Sequence, residues 1–307
     1  MFKIDTKDLE IIKIMNENSR IPLSAIATKL KLSLNAVKNR IIAMEEEGVI
    51  RGYTCDLIPG ILGEETALAK ITISKEVESI KALADVIGSH ELVFLVGVGL
   101  GNQLVVVFTY RSSSDVMNLE SYIKTLTFVN TVEIFLLLGP PRQKLPQIAP
   151  VDYMLISKLR QNGRMSFHEL AKKTQISTRT LKKRIDKLIR ERIITFPLIL
   201  SPGSSEDLIN FTIFCMLKPN ANKIEFFQKT MNKFPNTWVG WIVVDKPMII
   251  VIFFADSLKN IRKTEESIKQ DPLIVSTETI TGGEGFYYPD WRTTHVDELG
   301  KEYLGKN

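Results

Sequence analysis

Apolar positions recur at helical spacing near the start of the chain. Leu9, Ile12 and Met15, with Ile11 at the edge of the stripe, fall on one face of a helix that Asp5 or Thr6 can cap. Asn18-Ser-Arg-Ile-Pro22 breaks that helix. Ser24 is then placed to cap a short helix carrying Ile26, Ala27 and Leu30, and Lys31-Leu32 makes a tight turn. Ser33 caps a third helix with Val37, Ile41 and Met44 on one face, Gly48 ends it, and Val49–Tyr53 reads as a short strand. Helix, short helix, turn, capped helix and closing strand make a winged helix-turn-helix pattern.

The spacing then changes. Thr66–Ser74 reads as a strand, Val77–Ile87 as a helix, Glu91–Val98 and Gln103–Tyr110 as strands around a glycine-rich turn, Val116–Thr125 as a helix and Val129–Leu138 as a strand. That order is βαββαβ, the ferredoxin-like unit.

Both patterns occur twice. Asp8–Ile50 matches Asp152–Ile194 without a gap, with about twelve of 43 positions identical, among them Asn18/Asn162, Ala27/Ala171, Ser33/Ser177, Lys38/Lys182 and Arg40/Arg184. A second βαββαβ follows as strand Phe211–Leu217, helix Lys223–Phe234, strands Trp238–Val244 and Met248–Phe254, helix Leu258–Lys269 and strand Ile274–Thr281. The expected fold class is α+β, with two winged helix-turn-helix domains and two ferredoxin-like domains in tandem. The expected domains are residues 1–54, 55–138, 151–200 and 201–282, with a linker at 139–150 and a C-terminal tail at 283–307. Four prolines make the linker extended and semi-rigid. Phe286-Tyr-Tyr-Pro-Asp-Trp291 is either docked on its own domain or a partner-binding tail. Leu104–Phe108 and Ile249–Phe253 are apolar on both alternations, so the two four-stranded sheets are expected to pack face to face as a pseudo-dimer.

Composition narrows the class. No apolar run approaches the roughly 20 residues of a membrane span, and the first residues show no secretory h-region. Two cysteines, Cys55 and Cys215, imply neither a disulfide framework nor a metal cluster, which fits a cytoplasmic setting. No cofactor, metal site or catalytic residue is expected. His90, His168 and His295 are scattered and suit surface or packing roles. The net charge of +5 is unevenly placed: residues 151–200 carry twelve Lys/Arg against four Asp/Glu, and residues 1–53 carry nine against seven. Cationic charge gathered in one segment is the footprint of polyanion binding.

The third helix of each repeat carries the candidate chemistry. With Val37, Ile41 and Met44 inward, Asn35, Asn39, Ile42 and Glu46 point away from the core with Lys38 beside them. With Leu181, Ile185 and Leu188 inward, Arg179, Lys183, Asp186 and Arg190 point outward, flanked by Thr180, Lys182 and Lys187. Asn pairs with adenine edges and Arg or Lys with guanine edges in the major groove. The alternative is a solvated helix face. Arg40 and Arg184 sit at the edge of the core face, where they either form a local salt bridge or reach phosphate. Ser33 and Ser177 serve as helix caps, and a capped helix start near phosphate serves both ends.

Asn18-Ser-Arg20, Ile26-Ala27, Ser33, Val37, Asn39-Arg40-Ile41 and Glu47-Gly-Val-Ile-Arg-Gly-Tyr53 resemble the helix-turn-helix signature of the Lrp/AsnC transcription regulators. The second repeat departs from it at Arg192 and Pro197, which stand where Gly48 and Tyr53 do in the first. The resemblance implies a regulator that binds double-stranded DNA, assembles as a homo-oligomer and takes a small amino-acid-like effector. It places that effector at the turn Gly97–Asn102, through Gly99, Gly101 and Asn102, although the family has Asp where Asn102 stands. The alternative for that turn is a plain hairpin. Sirohaem decarboxylases share the tandem architecture and are the rival, with a tetrapyrrole held by His and Arg near the same hairpin. Here His90 is nearby, but Arg111 comes only after the strand. A sensor that no longer binds DNA is the third reading.

Overall fold

The structure is a computed structural model and describes residues 4–74, 77–139, 145–201 and 208–305. Residues 140–144 of the proline-rich linker lie outside the described residues. The chain divides into two compact units. One is built mainly from Glu64–Pro140 and Ser201–Asp290, the other from Lys7–Gly63, Pro141–Leu200 and Trp291–Asn307.

The first unit is the pair of βαββαβ domains. One domain comprises β3 (Glu65–Ile73), α4 (Ile80–Gly88), β4 (Val93–Gly99), β5 (Gln103–Tyr110), α5 (Ser113–Thr125) and β6 (Val129–Leu136). The other comprises β9 (Ile209–Leu217), α9 (Lys223–Lys233), β10 (Thr237–Ile242), β11 (Met248–Ala255), α10 (Leu258–Lys269) and β12 (Ile274–Tyr287). Helix α4 starts at Ile80, later than its apolar spacing suggests, because the Ser79 hydroxyl accepts the Ala82 amide and fixes the start there.

Eight strands run in the order β10-β11-β9-β12-β4-β5-β3-β6. The join is β12, which pairs antiparallel with β9 of its own domain and then with β4 of the other, Gly282 opposite Gly99 and Phe286 opposite Val96. The ends of the order also meet: the Leu138 amide donates to the Ile242 carbonyl and the Val244 amide to the Leu136 carbonyl, both at 2.8 Å. Neither edge is left as an open template. The glycines at the join are required there. A Cβ on Gly99 would lie 2.5 Å from Ile280 Cγ2, and one on Gly282 would lie 1.7 Å from Asn210 Oδ1.

Burial on both faces of the strands follows from this arrangement. Ile249, Val251 and Phe253 pack under α9 and α10, while Met248 and Ile250 join Leu68, Val105, Phe135, Phe214 and Ile280 on the other face; the two sheets expected to pack face to face are instead one eight-stranded sheet, because β12 runs on to pair with β4. The Phe135 and Phe214 rings meet at 5.3 Å. Lys70 bridges the two domains, at 3.0 Å from Glu133 and 2.6 Å from Glu278, and Lys246 reaches Glu133 at 2.9 Å.

The second unit holds both helix-turn-helix repeats. The first is α1 (Thr6–Glu17), α2 (Leu23–Leu30) and α3 (Leu34–Glu46), followed by β1 (Ile50–Tyr53) and β2 (Asp56–Leu57). The second is α6 (Pro150–Gln161), α7 (Phe167–Thr174) and α8 (Thr178–Arg190), followed by β7 (Ile194–Thr195) and β8 (Leu198–Leu200). Ser24 does not cap α2. The helix starts two residues earlier, at Leu23 after Pro22, and the Ser24 carbonyl accepts the Thr28 hydroxyl inside it. In the second repeat Ser166 does cap α7 through the Glu169 amide.

The segment 283–307 is not a tail. Its first residues continue β12 to Tyr287, and Trp291–Gly305 form a last helix, α11, packed on α6 with Val296 in the core of the second repeat. The strand extension pairs with the neighbouring domain rather than with its own. Alternation read within one domain ends at Thr281, because the partner that continues the strand lies far away in sequence.

Candidate nucleic-acid interface

Both third helices are built alike. Ser33 Oγ accepts the Ala36 amide at 3.1 Å and Ser177 Oγ accepts the Thr180 amide at 3.2 Å, each cap contributing about 1 kcal/mol. The turn before each helix passes through a left-handed residue, Lys31 at φ 55° and Gln175 at φ 58°. The turn after each does the same, at Gly48 (φ 74°) and at Arg192 (φ 53°). The second repeat therefore keeps the turn without the glycine, at a strain cost of about 1 kcal/mol.

Both arginines at the edge of the core face are engaged locally. Arg40 Nη1 donates to Asp8 Oδ1 at 2.8 Å, and Arg184 Nη1 donates to Asp152 Oδ1 at 3.0 Å. Asp8 and Asp152 are buried, so each arginine ties its third helix to the first helix of the same repeat. These side chains position the helices.

What remains outward differs between the copies. On α3, Leu34, Asn35, Lys38, Asn39 and Ile42 are exposed. On α8, Thr178, Arg179, Thr180, Lys182, Lys183, Asp186, Lys187 and Arg190 are exposed, and Arg179 to Arg190 line an open furrow. Helix α8 carries six cationic residues against one carboxylate; α3 carries two against two. Ser177 Oγ also meets Thr180 Oγ1 at 2.9 Å, and Lys187 lies 3.9 Å from Glu191. Glu45, near the end of α3, takes the Tyr53 hydroxyl; burial first and that hydrogen bond second raise the Tyr53 pKa above its usual value.

The repeats are locked to one another. Strand β1 pairs antiparallel with β8 and β2 with β7, so Ile50 faces Leu200 and Leu57 faces Ile194. Cys55 and Leu57, from the end of the first repeat, sit in the core of the second. Arg20 Nη1 donates to the Gly163 and Met165 carbonyls at 2.7 and 3.0 Å, and Arg164 Nε donates to the Ser19 carbonyl at 2.7 Å. Arg20 also lies over Phe167 and Phe196, and Arg164 over Tyr53 at 4.5 Å. Each arginine is set by the same local turn, with Asn18 Oδ1 on the Arg20 amide and Asn162 Oδ1 on the Arg164 amide. Sequence reasoning matched Asn18 with Asn162 but gave these arginines no role. The signal was there: both are identical in the two copies while the third-helix faces diverge.

The glycine-rich turn lies between β4 and β5. Its Leu100 amide donates to the Thr281 carbonyl at 2.7 Å, and the Asn102 carbonyl accepts the Ile73 amide at 2.9 Å. Gly101 (φ 80°) and Asn102 (φ 62°) are left-handed, and a Cβ on Gly101 would meet nothing within 4 Å. Gly99 faces Ile280 and Gln103, so the join with β12 accounts for it.

His90 packs on Tyr122 at 5.1 Å, its Nδ1 accepts the Leu92 amide at 3.3 Å, and burial lowers its pKa. His295 packs on Tyr153 and Trp291. Cys55 and Cys215 are free and buried, and burial pushes the Cys215 thiol up to about 12. Among the described residues no group of three or more His, Cys, Asp or Glu could hold a metal ion, and no helix is long and apolar enough to cross a membrane.

The winged helix-turn-helix DNA-binding family matches the chain twice, at residues 4–51 and 150–195. A curated relative, the HTH-type transcriptional regulator LrpA of Pyrococcus horikoshii, is 31% identical over 120 residues, which is 84% of that protein and 38% of this chain. The chain belongs to the Lrp/AsnC family of transcriptional regulators. An uncharacterized HTH-type transcriptional regulator of Pyrococcus furiosus is 30% identical over 86% of its length and 43% of this chain. Relatives that match over most of their own length thus account for less than half of this one, which carries the unit twice. Among solved structures, the siroheme decarboxylase NirDL matches the whole architecture, with a TM-score of 0.60 at 12% identity over 98% of this chain and 100% of that one. At that identity the likeness is one of fold.

Proposed function

We propose that this Lrp/AsnC chain is a sequence-specific regulator that grips double-stranded DNA with α3 and α8. The outward face of α8 carries the proposal. Arg179, Lys182, Lys183, Lys187 and Arg190 crowd one exposed surface of a capped helix in the position where helix-turn-helix domains enter the major groove. Folding gains nothing from gathering like charge there; neutralising phosphate does. Asn35, Lys38 and Asn39 supply the matching face of α3. Arg40 and Arg184, engaged with Asp8 and Asp152, set the angle of each helix. Lrp-type relatives assemble as homo-oligomers by the family resemblance, and the same is proposed here; light scattering measures it.

An amino-acid-like effector is proposed at the β4–β5 turn, where the Gly101 backbone is open and the chain beside it belongs to both βαββαβ domains. The reading is tested by gel shift of the full chain on bulk duplex DNA. Retention that weakens steeply between 50 and 200 mM salt, on the order of 10³-fold for six phosphate contacts, supports it. Absence of retention at low salt overturns it.

A second reading, a tetrapyrrole enzyme, is favoured by one observation, the whole-chain likeness to NirDL. Titration with an iron porphyrin separates the two: a new Soret band at stoichiometric protein, with no DNA retention, selects the enzyme.

A further inference from the structure

We propose that a single chain reads an asymmetric DNA element, with an A/T-selective half under α3 and a guanine-containing half under α8. The inference rests on the DNA-binding reading and adds what each helix recognises.

Three observations carry it. The first is that the two repeats face each other across a local two-fold. The pairing of Ile50 with Leu200 recurs as Ile194 with Leu57, which is the same contact met from the other copy and shifted by one residue. Arg20 crossing to Gly163 is answered by Arg164 crossing to Ser19, and Ser19 and Gly163 are equivalent positions. Two helices so related are the arrangement with which homodimers meet the dyad of B-DNA, reading half-sites a whole number of helical turns apart. Here the relation is covalent, and strand exchange fixes it.

The second observation is that the main features holding the helices in place recur in both copies. The caps Ser33 and Ser177, the left-handed entry residues, the Arg–Asp tie and the apolar inner faces all recur. Neither helix has lost the frame that presents it.

The third is that the presented faces are unlike at the positions that reach bases. Leu34 faces outward where the second copy has Thr178, Asn35 where it has Arg179, Asn39 where it has Lys183, and Ile42 where it has Asp186. Leu34 and Ile42 are exposed large apolar side chains, on a helix whose core side is already filled by Val37, Ile41 and Met44. Apolar groups in the major groove contact the thymine methyl, and Asn pairs with the N6/N7 edge of adenine. Arg179 and Lys183 suit the O6/N7 edge of guanine, and Asp186 suits the N4 amine of cytosine. Identical half-sites would satisfy one helix and mismatch the other.

Selection of full-length chain from a random duplex library, at fixed salt, tests this. The expected consensus has no internal dyad and pairs an A/T half with a G-containing half. It occurs either once or as an inverted pair of such elements at longer spacing. In parallel, N35A/N39A is expected to flatten preference in the A/T half by roughly 5- to 150-fold while the other half is retained, and R179A/K183A to do the reverse. A short palindrome as the selected unit overturns the proposal. So does a pair of variants that each relax both halves. Retention of DNA without enrichment of any sequence overturns it while leaving DNA binding intact, and no retention at all overturns both.

Discussion

Helices α3 and α8 share a frame and differ in face. Their inner positions are Val37, Ile41 and Met44 in one and Leu181, Ile185 and Leu188 in the other, all buried. Their outer positions exchange Asn for Arg or Lys, and apolar side chains for polar ones. Packing tolerates only like-sized apolar changes in a filled core. A solvent-facing surface has no such limit, so it records what it meets rather than what it packs on. Inside one chain, the contrast between copies separates residues that build the domain from residues that use it.

The largest expected effect is on affinity, and it falls on one side of the comparison. R179A/K182A/K183A removes three of the five outward cations of α8 without touching its core. It is expected to weaken binding by about 100-fold or more and, through Lys182, to reduce the salt slope by about one, read by fluorescence anisotropy across a salt series. The α3 counterpart N35A/N39A leaves the salt slope unchanged, since asparagine releases no counterion. Equal slopes for the two variants would erase the distinction drawn here.

Next come the ties that hold the helices. D8A removes a buried carboxylate from beneath Arg40 and is expected to cost about 2 kcal/mol in urea denaturation. D152A is expected to cost less, because Arg184 is 38% exposed and finds water where Arg40, at 29%, finds less. The smallest effect is at the turn after α8. R192G relieves a left-handed non-glycine residue and is expected to stabilise by no more than about 1 kcal/mol, read by calorimetry. A loss of stability there would mean that the Arg192 side chain holds something the turn does not.

Periodicity made the helix-turn-helix repeats and both βαββαβ units legible, because each buries a face whose spacing is local. The outward faces followed from the same arithmetic: Asn35 and Lys183 point outward because Val37 and Leu181 point in. What sequence left open was settled by partners distant in the chain. Asp8 and Asp152 stand beside Arg40 and Arg184 only once the first helix of each repeat packs on the third. The strand exchange of β1 with β8 and β2 with β7 leaves no spacing signature, since each strand alternates the same way whichever neighbour it takes. The extension of β12 onto β4 was hidden for that reason, and with it the close approach of Ile280 to Gly99. Helix α11 was missed because its few apolar residues, among them Trp291, Val296, Leu299 and Tyr303, are diluted by polar ones, and the surface they pack on, chiefly α6, lies far away in sequence.

The central claim is that one chain places two unlike recognition helices on one duplex. Hydroxyl-radical footprinting of the full chain on its selected element, repeated with N35A/N39A and with R179A/K182A/K183A, tests it most directly. The account predicts two protected patches near a whole number of helical turns apart, each lost with its own variant and retained with the other. A single patch that only the α8 variant abolishes would contradict it.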